Sequence, residues 1–349
     1  MKDTVPPKSD CSTNDPLPNV TSILVTGCAG FIGGWFARMI VHAYGNHYRV
    51  IGFDNLESCA SLNNLASIDQ HPAFCFVKGD ICNFSDVMAA MKHHKVDAVV
   101  HFAARSHVDQ SFSSPLAFTT TNIVGTQVLL EAAKTMGCIQ RFVYVSTDEV
   151  YGENDADRCF AFTENQPLNP TNPYAASKAA AEMIVRAYEK SFGLPVIITR
   201  CNNVFGPYQH PEKMIPKFIT SLMKGKKMTL HGNGTAVRSF VFAADAVTAF
   251  DLIFHCGELG VVYNISSRNH FQVREVAVRI LEYFPQYESQ GLAHWAEMVV
   301  DRPFNDKMYW TDDSRLRALG WTEKTDFEEG LDATVKWYTQ HAGEFWGTS

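Results

Sequence analysis

Positive charge is in short supply along this chain: 30 Lys and Arg stand against 37 Asp and Glu, a net charge of −7 over 349 residues. No basic stripe offers a grip on nucleic acid or on an anionic membrane, so neither is expected as a partner. A phosphate-bearing ligand must be held by local donors instead. Cysteine is more plentiful, nine in all, but no Cys-x-x-Cys occurs and no Cys/His spacing fits zinc. The 13 histidines form no His-Glu-x-x-His or similar set, so no metal is expected. Scattered cysteines, odd in number, point to reduced thiols and a cytoplasmic protein. No apolar run reaches transmembrane length. Residues 1–20 are polar and proline-rich, with no apolar core, and read as a disordered tail and not a signal peptide. On that reading the sequon Asn19-Val20-Thr21 is chance.

What the chain does have is alternation. Strand-like runs at Ser22–Thr26, Tyr48–Phe53, Phe74–Val77, Asp97–Phe102, Arg141–Val145 and Val196–Thr199 alternate with helix-like segments. Among the latter are 27–43 (with its opening turn), Asn122–Met136, with Asn122 as its expected N-cap, and Tyr174–Phe192. Such alternation implies β-α-β units and a doubly wound parallel sheet over residues 21–202, a Rossmann arrangement. After Arg200 the texture changes, with Pro207, Pro211, Pro216 and the turn His231-Gly232-Asn233-Gly234. Residues 203–345 are expected to form mainly a smaller, mixed lobe over the substrate, with 262–265 returning one strand to the sheet.

Between the first strand and the first helix lies Gly27-Cys28-Ala29-Gly30-Phe31-Ile32-Gly33. Glycine lets backbone approach a pyrophosphate, and a helix N-terminus favours its charge. Strand two ends at Asp54, a little over 20 residues on. A carboxylate there bonds ribose hydroxyls and repels a 2′-phosphate, which favours NAD over NADP. Asp80, closing strand three, can reach the adenine, and the small Ala103 and Ala104 leave room for the cofactor.

Strand five ends in Ser146-Thr147-Asp148-Glu149-Val150-Tyr151-Gly152, a hydroxyl followed by two carboxyls where open α/β sheets bind ligands. Tyr174 and Lys178 are four apart, on one face of the expected helix. An ammonium near a phenol favours the phenolate, so Tyr174 can take a proton from a hydroxyl while hydride leaves the carbon. Two carboxyls in one site can split their pKa values, one acting as acid and one as base.

With these residues in view, the chain resembles the extended short-chain dehydrogenases/reductases over roughly residues 22–340. More narrowly it is similar to the nucleoside-diphosphate-glucose 4,6-dehydratases. The motifs are Thr147-Asp148-Glu149-Val150-Tyr151-Gly152, His107-Val108-Asp109, Asn172-Pro173-Tyr174, Pro211-Glu212-Lys213-Met214-Ile215-Pro216 and Asp301-Arg302-Pro303-Phe304-Asn305-Asp306. The resemblance implies NAD held by Gly27, Gly30, Phe31, Ile32, Gly33, Asp54, Asn55, Asp80, Ile81, Ala103, Ala104, Ser106, Thr121, Tyr174 and Lys178. It also implies a sugar nucleotide held by Ser106, Thr147, Asn203, Lys213, His231, Arg238, Arg302 and Asn305, with Lys213 and Arg238 on the diphosphate. In the implied reaction Tyr174 and Thr147 serve the C4 hydroxyl. Glu149 takes the C5 proton, protonated Asp148 donates to the departing C6 hydroxyl, and hydride returns to C6. UDP-glucose is favoured over dTDP-glucose from the local pattern Cys201-Asn202-Asn203-Val204-Phe205-Gly206, and a homodimer is usual in the family.

Three residues depart from the pattern: Trp35 after Gly33-Gly34, Arg105 where relatives carry Glu or Gln, and Asn305 where bacterial relatives carry His. Two rival readings remain. A sugar 4-epimerase would need Tyr174, Lys178 and a hydroxyl but no Asp-Glu pair. A non-catalytic NAD-binding protein would be expected to lack Tyr174 or Lys178.

Overall fold

The computed structural model describes residues 14–154 and 160–346. Seven parallel strands form the main sheet: β1 (Ser22–Thr26), β2 (Arg49–Asp54), β3 (Phe74–Lys78), β4 (Ala98–His101), β5 (Arg141–Thr147), β6 (Val196–Cys201) and β10 (Val262–Ile265). Their order is β10-β6-β5-β4-β1-β2-β3, so the direction of winding reverses between β1 and β4. A crevice opens at that reversal, at the carboxyl ends of the strands.

Each strand alternates its side chains between two buried layers. Ile23 and Val25 of β1 face one way and Leu24 the other; Val143 of β5 opposes Phe142 and Tyr144. Helices cover both faces, as all-parallel sheets require. Phe31–Tyr44 and Ala243–Cys256 lie on one side, and Phe84–His94, Thr126–Met136 and Pro173–Phe192 on the other. The Ala243–Cys256 helix therefore belongs to the sheet although its sequence follows the small lobe.

The smaller lobe has its own core, with Phe205, Phe218, Leu230, Phe240, Ile280, Phe327 and Tyr338 buried together. Its strands are β7 (Asn203–Phe205), β8 (Met228–His231), β9 (Val237–Phe242), β11 (His270–Gln272) and β12 (Ala296–Val299), paired as β11-β9-β7 and β12-β8. No helix among the described residues is long and apolar enough to cross a membrane.

Two expectations need correcting here. Residues 1–13 lie outside the described residues, but 14–20 are tied down: the Asn14 amide donates to Asp251 Oδ2 at 2.8 Å, the Leu17 N–H to the Tyr48 hydroxyl at 2.5 Å, and Val20 is buried. Nor does Asn122 cap a helix. It sits within a widened π turn, Thr119–Gly125, that continues from Pro115–Phe118 into Thr126–Met136. Its amide points inward instead. The side chain accepts from Arg105 N at 2.8 Å and donates to Arg105 O at 3.0 Å and Ser177 Oγ at 2.9 Å. Its polar groups are spent on tertiary partners, which is why the propensity rule fails here.

Candidate active site

The crevice begins at the glycine turn after β1. Gly27 has φ +70°, and a Cβ there would lie 2.7 Å from Ala103 N. A Cβ on Gly33 would collide with the Gly27 carbonyl oxygen. Only glycine permits this close backbone packing. The Phe31–Tyr44 helix starts at Gly30 with no side-chain cap and no acid in its first turn. Its first N–H groups are thus left for an anion. Asp54 is buried, and its carboxylate accepts from Ala29 N at 3.1 Å and Leu56 N at 2.8 Å, fastening the loop after β2 to the glycine turn. Burial pushes its pKa up, against those two backbone bonds. A glycine cradle, an open helix end and a carboxylate at the second strand fit a pyrophosphate-bearing dinucleotide.

Gly30, Phe31, Ile32, Asn55, Ile81, Ala103, Ala104, Ser106 and Thr121 also line this half of the crevice. Asp80 does not. Its carboxylate accepts from Cys82 N at 2.9 Å, and its backbone N–H donates to Asp86. These bonds shape the turn after β3 between Gly79 and Ile81, which both line the crevice, and leave Asp80 Oδ2 for a contact to the adenine.

At the bottom of the crevice, β5 delivers the two acids. The strand ends at Thr147, whose hydroxyl accepts from Glu149 N at 3.3 Å and so caps the short turn Asp148–Tyr151. The same hydroxyl donates to Asp148 Oδ1 at 3.1 Å. Asn202 donates to Asp148 Oδ2 at 2.6 Å, and Asn172 to Glu149 Oε2 at 3.0 Å. Asn172 also caps the Pro173–Phe192 helix by accepting from Ala175 N at 2.8 Å, so one side chain places both Glu149 and the helix bearing Tyr174 and Lys178.

The two acids have different surroundings. Burial, then the Glu149 charge, pushes Asp148 up to about 7. Burial raises Glu149 as well, but the Asn172 amide and the charges of Arg238 and Arg302 pull it back towards carboxylate. Tyr174 departs from expectation. Burial, followed by Glu149, drives its phenol well above the ordinary value, opposed by a hydrogen bond with Thr147. Lys178 stands one helical turn beyond Tyr174. It donates to Val145 O at 2.7 Å and lies over the Tyr144 ring at 4.4 Å. Burial lowers Lys178 to about 7, partly offset by Glu182.

The other half of the cleft is lined by side chains from the small lobe. Lys213 donates to Ser106 O at 2.7 Å and Ser106 Oγ at 3.2 Å, across the cleft. Arg238 donates to Asn305 Oδ1 and to the Asp306 carbonyl, both at 2.8 Å, and rests over the Tyr309 ring. Arg302 Nε meets Asp109 Oδ1 at 2.6 Å. His231 and Asn203 complete the wall. Glu149, Lys213, Ser106 and Asn203 line both halves, so the two form one continuous site at the acids.

The three departures find places. Trp35 turns away from the crevice and donates to Pro207 O at 3.0 Å. Arg105 pairs with Glu57 at 2.6 Å along the dinucleotide half. Asn305 accepts from Arg238 and donates to Asp301 at 2.9 Å, holding the arginine in place. Sequence reasoning assigned no role to Asn172, Asn202, Asp109 or Tyr309. For Asn172 a signal existed, since Asn before Pro at a helix start is a cap. The others act through contacts distant in sequence.

Residues 24–334 match the GDP-mannose 4,6 dehydratase family. A trifunctional UDP-glucose 4,6-dehydratase/UDP-4-keto-6-deoxy-D-glucose 3,5-epimerase/UDP-4-keto-L-rhamnose-reductase of Arabidopsis thaliana is 47% identical over 326 residues, covering 93% of this chain. The chain spans about half (48%) of that relative's length. Human dTDP-D-glucose 4,6-dehydratase is 41% identical over 320 residues, 91% of this chain and 90% of the relative. The crystal structure of a dTDP-glucose 4,6-dehydratase from Streptomyces venezuelae with NAD bound superimposes with TM-score 0.87 at 40% identity, covering 93% of this chain and 98% of that one. A UDP-glucose 4-epimerase of Thermus thermophilus also shares the fold, with TM-score 0.82 at 28% identity over 92% of this chain and 100% of that one.

Proposed function

The chain belongs to the GDP-mannose 4,6-dehydratase family, and from that premise we propose that it removes water from a nucleoside-diphosphate glucose, UDP-glucose ahead of dTDP-glucose, yielding the 4-keto-6-deoxy sugar with NAD as cofactor. The observation that carries this reading is the adjacent pair Asp148 and Glu149, each held by an asparagine amide on the floor of the crevice that Tyr174 also lines. A 4-epimerase has no use for such a pair.

The glycine turn, with the N–H groups of Phe31 and Ile32, would hold the NAD pyrophosphate. Asp54 and Asn55 would hold the adenosine ribose, Ile81 the adenine and Lys178 the nicotinamide ribose. NAD, when bound, supplies a reversible two-electron oxidant that carries a positive ring. Tyr174 takes the proton of the C4 hydroxyl as that carbon is oxidised, and Thr147 hydrogen-bonds the same oxygen. The resulting ketone acidifies the C5 hydrogen, which Glu149 removes. Asp148, protonated near neutrality, gives its proton to the C6 hydroxyl, which leaves as water. Reduction at C6 and protonation at C5 complete the product. Neutralising Asp148 also removes one of the charges that hold the Tyr174 phenol up. Lys213, Arg238 and Arg302 hold the diphosphate by charge-assisted bonds that offset the acidic background.

Leu116 and Val124, and Met183 and Phe192 of the Pro173–Phe192 helix, are exposed apolar side chains, and we read this surface as the seat of a homodimer. The seven described cysteines are free thiols, which suits a cytoplasmic setting. Incubating the protein with UDP-glucose or dTDP-glucose and following loss of water by mass spectrometry tests the assignment. A product of unchanged mass would favour the epimerase.

A further inference from the structure

Asp109 is one of four carboxylates, with Glu149, Glu212 and Asp306, that line the arginine-bearing half of the cleft. Asp109 opens the Val108–Ser113 helix on the sheet side of the cleft, yet its side chain reaches the small lobe. Oδ1 accepts from Arg302 Nε at 2.6 Å, and Oδ2 lies 3.9 Å from His231 Nε2. Arg302 follows β12 and His231 ends β8, two strands that pair with each other. One carboxylate therefore meets both members of this small sheet from the opposite wall.

We infer that Asp109 is a positioning residue that fixes Arg302 for the diphosphate, drawing the two walls together around the sugar nucleotide.

The geometry of the contact favours positioning over competition. Asp109 engages the guanidinium from the side, at Nε, with no hydrogen bond from the two terminal nitrogens to Asp109. That fork is the part of an arginine that grips a phosphate bidentately. A carboxylate competing for the phosphate's place would occupy the fork itself. Holding Nε takes one of the five guanidinium donors, leaves the four terminal N–H groups for phosphate and removes much of the rotamer freedom of a long side chain. It also supplies negative charge where Lys213, Arg238, Arg302 and His231 crowd one cleft. Burial works against an ionised Asp109, but Arg302, His231 and His107 outweigh it and hold the acid below its ordinary value, so it stays charged at neutral pH.

The inference rests on the proposed sugar-nucleotide reading, and the test separates the two. Calorimetric binding of UDP to the NAD-loaded protein is measured for wild type, Asp109→Asn, Arg302→Gln and the double variant, beside KM and kcat for UDP-glucose. Thermal melts check that each variant folds. Asp109→Asn should weaken UDP binding and raise KM about tenfold, the size of one charge-assisted contact, with kcat reduced much less. In the Arg302→Gln background the same change should cost less than about twofold, because the residue it positions is gone. Tighter UDP binding by Asp109→Asn would show competition and overturn the inference. So would a fall in kcat at constant KM, or additive losses in the double variant. If wild type binds no UDP, the sugar-nucleotide reading itself fails.

Discussion

The glycine-rich half of the cleft is shaped by backbone, whereas the arginine-lined half is shaped by long side chains. Gly27 and Gly33 sit where a Cβ would strike Ala103 or the Gly27 carbonyl, and Asp54 is fastened by two backbone N–H groups. Rigid main chain at the carboxyl ends of β1, β2 and β4 makes this surface. The opposite half gathers Lys213, His231, Arg238, Arg302 and Asn305 from four separate segments of the small lobe, and several reach across the cleft to the sheet side. A surface of main chain suits a ligand that is kept. A surface of side chains bridging two walls suits one that comes and goes. The acids lie where the halves meet and are fixed by both sides, Asp148 by Asn202 and Glu149 by Asn172.

The largest effect is expected at that junction. Asp148→Asn and Glu149→Gln should each lower turnover by roughly 10²–10⁴-fold without loss of NAD content, measured by steady-state assay and by cofactor absorbance after denaturation. With Asp148 pushed up to about 7, the general acid is protonated below that pH and lost above it. The kcat profile should therefore fall as pH rises past about 7, and Asp148→Asn should lack this limb. Next in size is Gly33→Ala, which forces the helix start off the glycine turn. Overpacking of about 1–3 kcal/mol should cost roughly 5–150-fold in NAD affinity and lower the melting temperature. Arg238→Ala should do the reverse: NAD is retained, and KM for the sugar nucleotide rises on the order of tenfold or more, from loss of a charged hydrogen bond. If Arg238→Ala released NAD as readily as Gly33→Ala does, the two halves would not be separate. The smallest effect concerns the base. kcat/KM should favour UDP-glucose over dTDP-glucose by a few-fold, and equal or better turnover of dTDP-glucose would overturn that preference.

The same contrast explains what could be read from the sequence. The sheet was legible because each strand alternates between two buried layers and each helix keeps its own period; β1 and the Phe31–Tyr44 helix are examples. The glycine turn, Asp54, the acid pair and Tyr174-Lys178 are local patterns, so their residue types and spacing carry the chemistry. Lys213, His231, Arg238 and Arg302 carry no such pattern, and only likeness to a family singled them out. What escaped was decided by tertiary contacts. Asn122 has the residue type of a cap but spends its amide on Arg105 and Ser177. Lys178 also donates to Val145 O, a contact across 33 residues that no local spacing announces.

The central claim is that one site oxidises C4, expels the C6 hydroxyl and reduces C6. UDP-glucose deuterated at C4 tests it in a single experiment, with the product examined by mass spectrometry and NMR. The account predicts a product lighter by one water, with the deuterium moved to C6. Deuterium retained at C4 in a sugar of unchanged mass would contradict it and make the protein an epimerase.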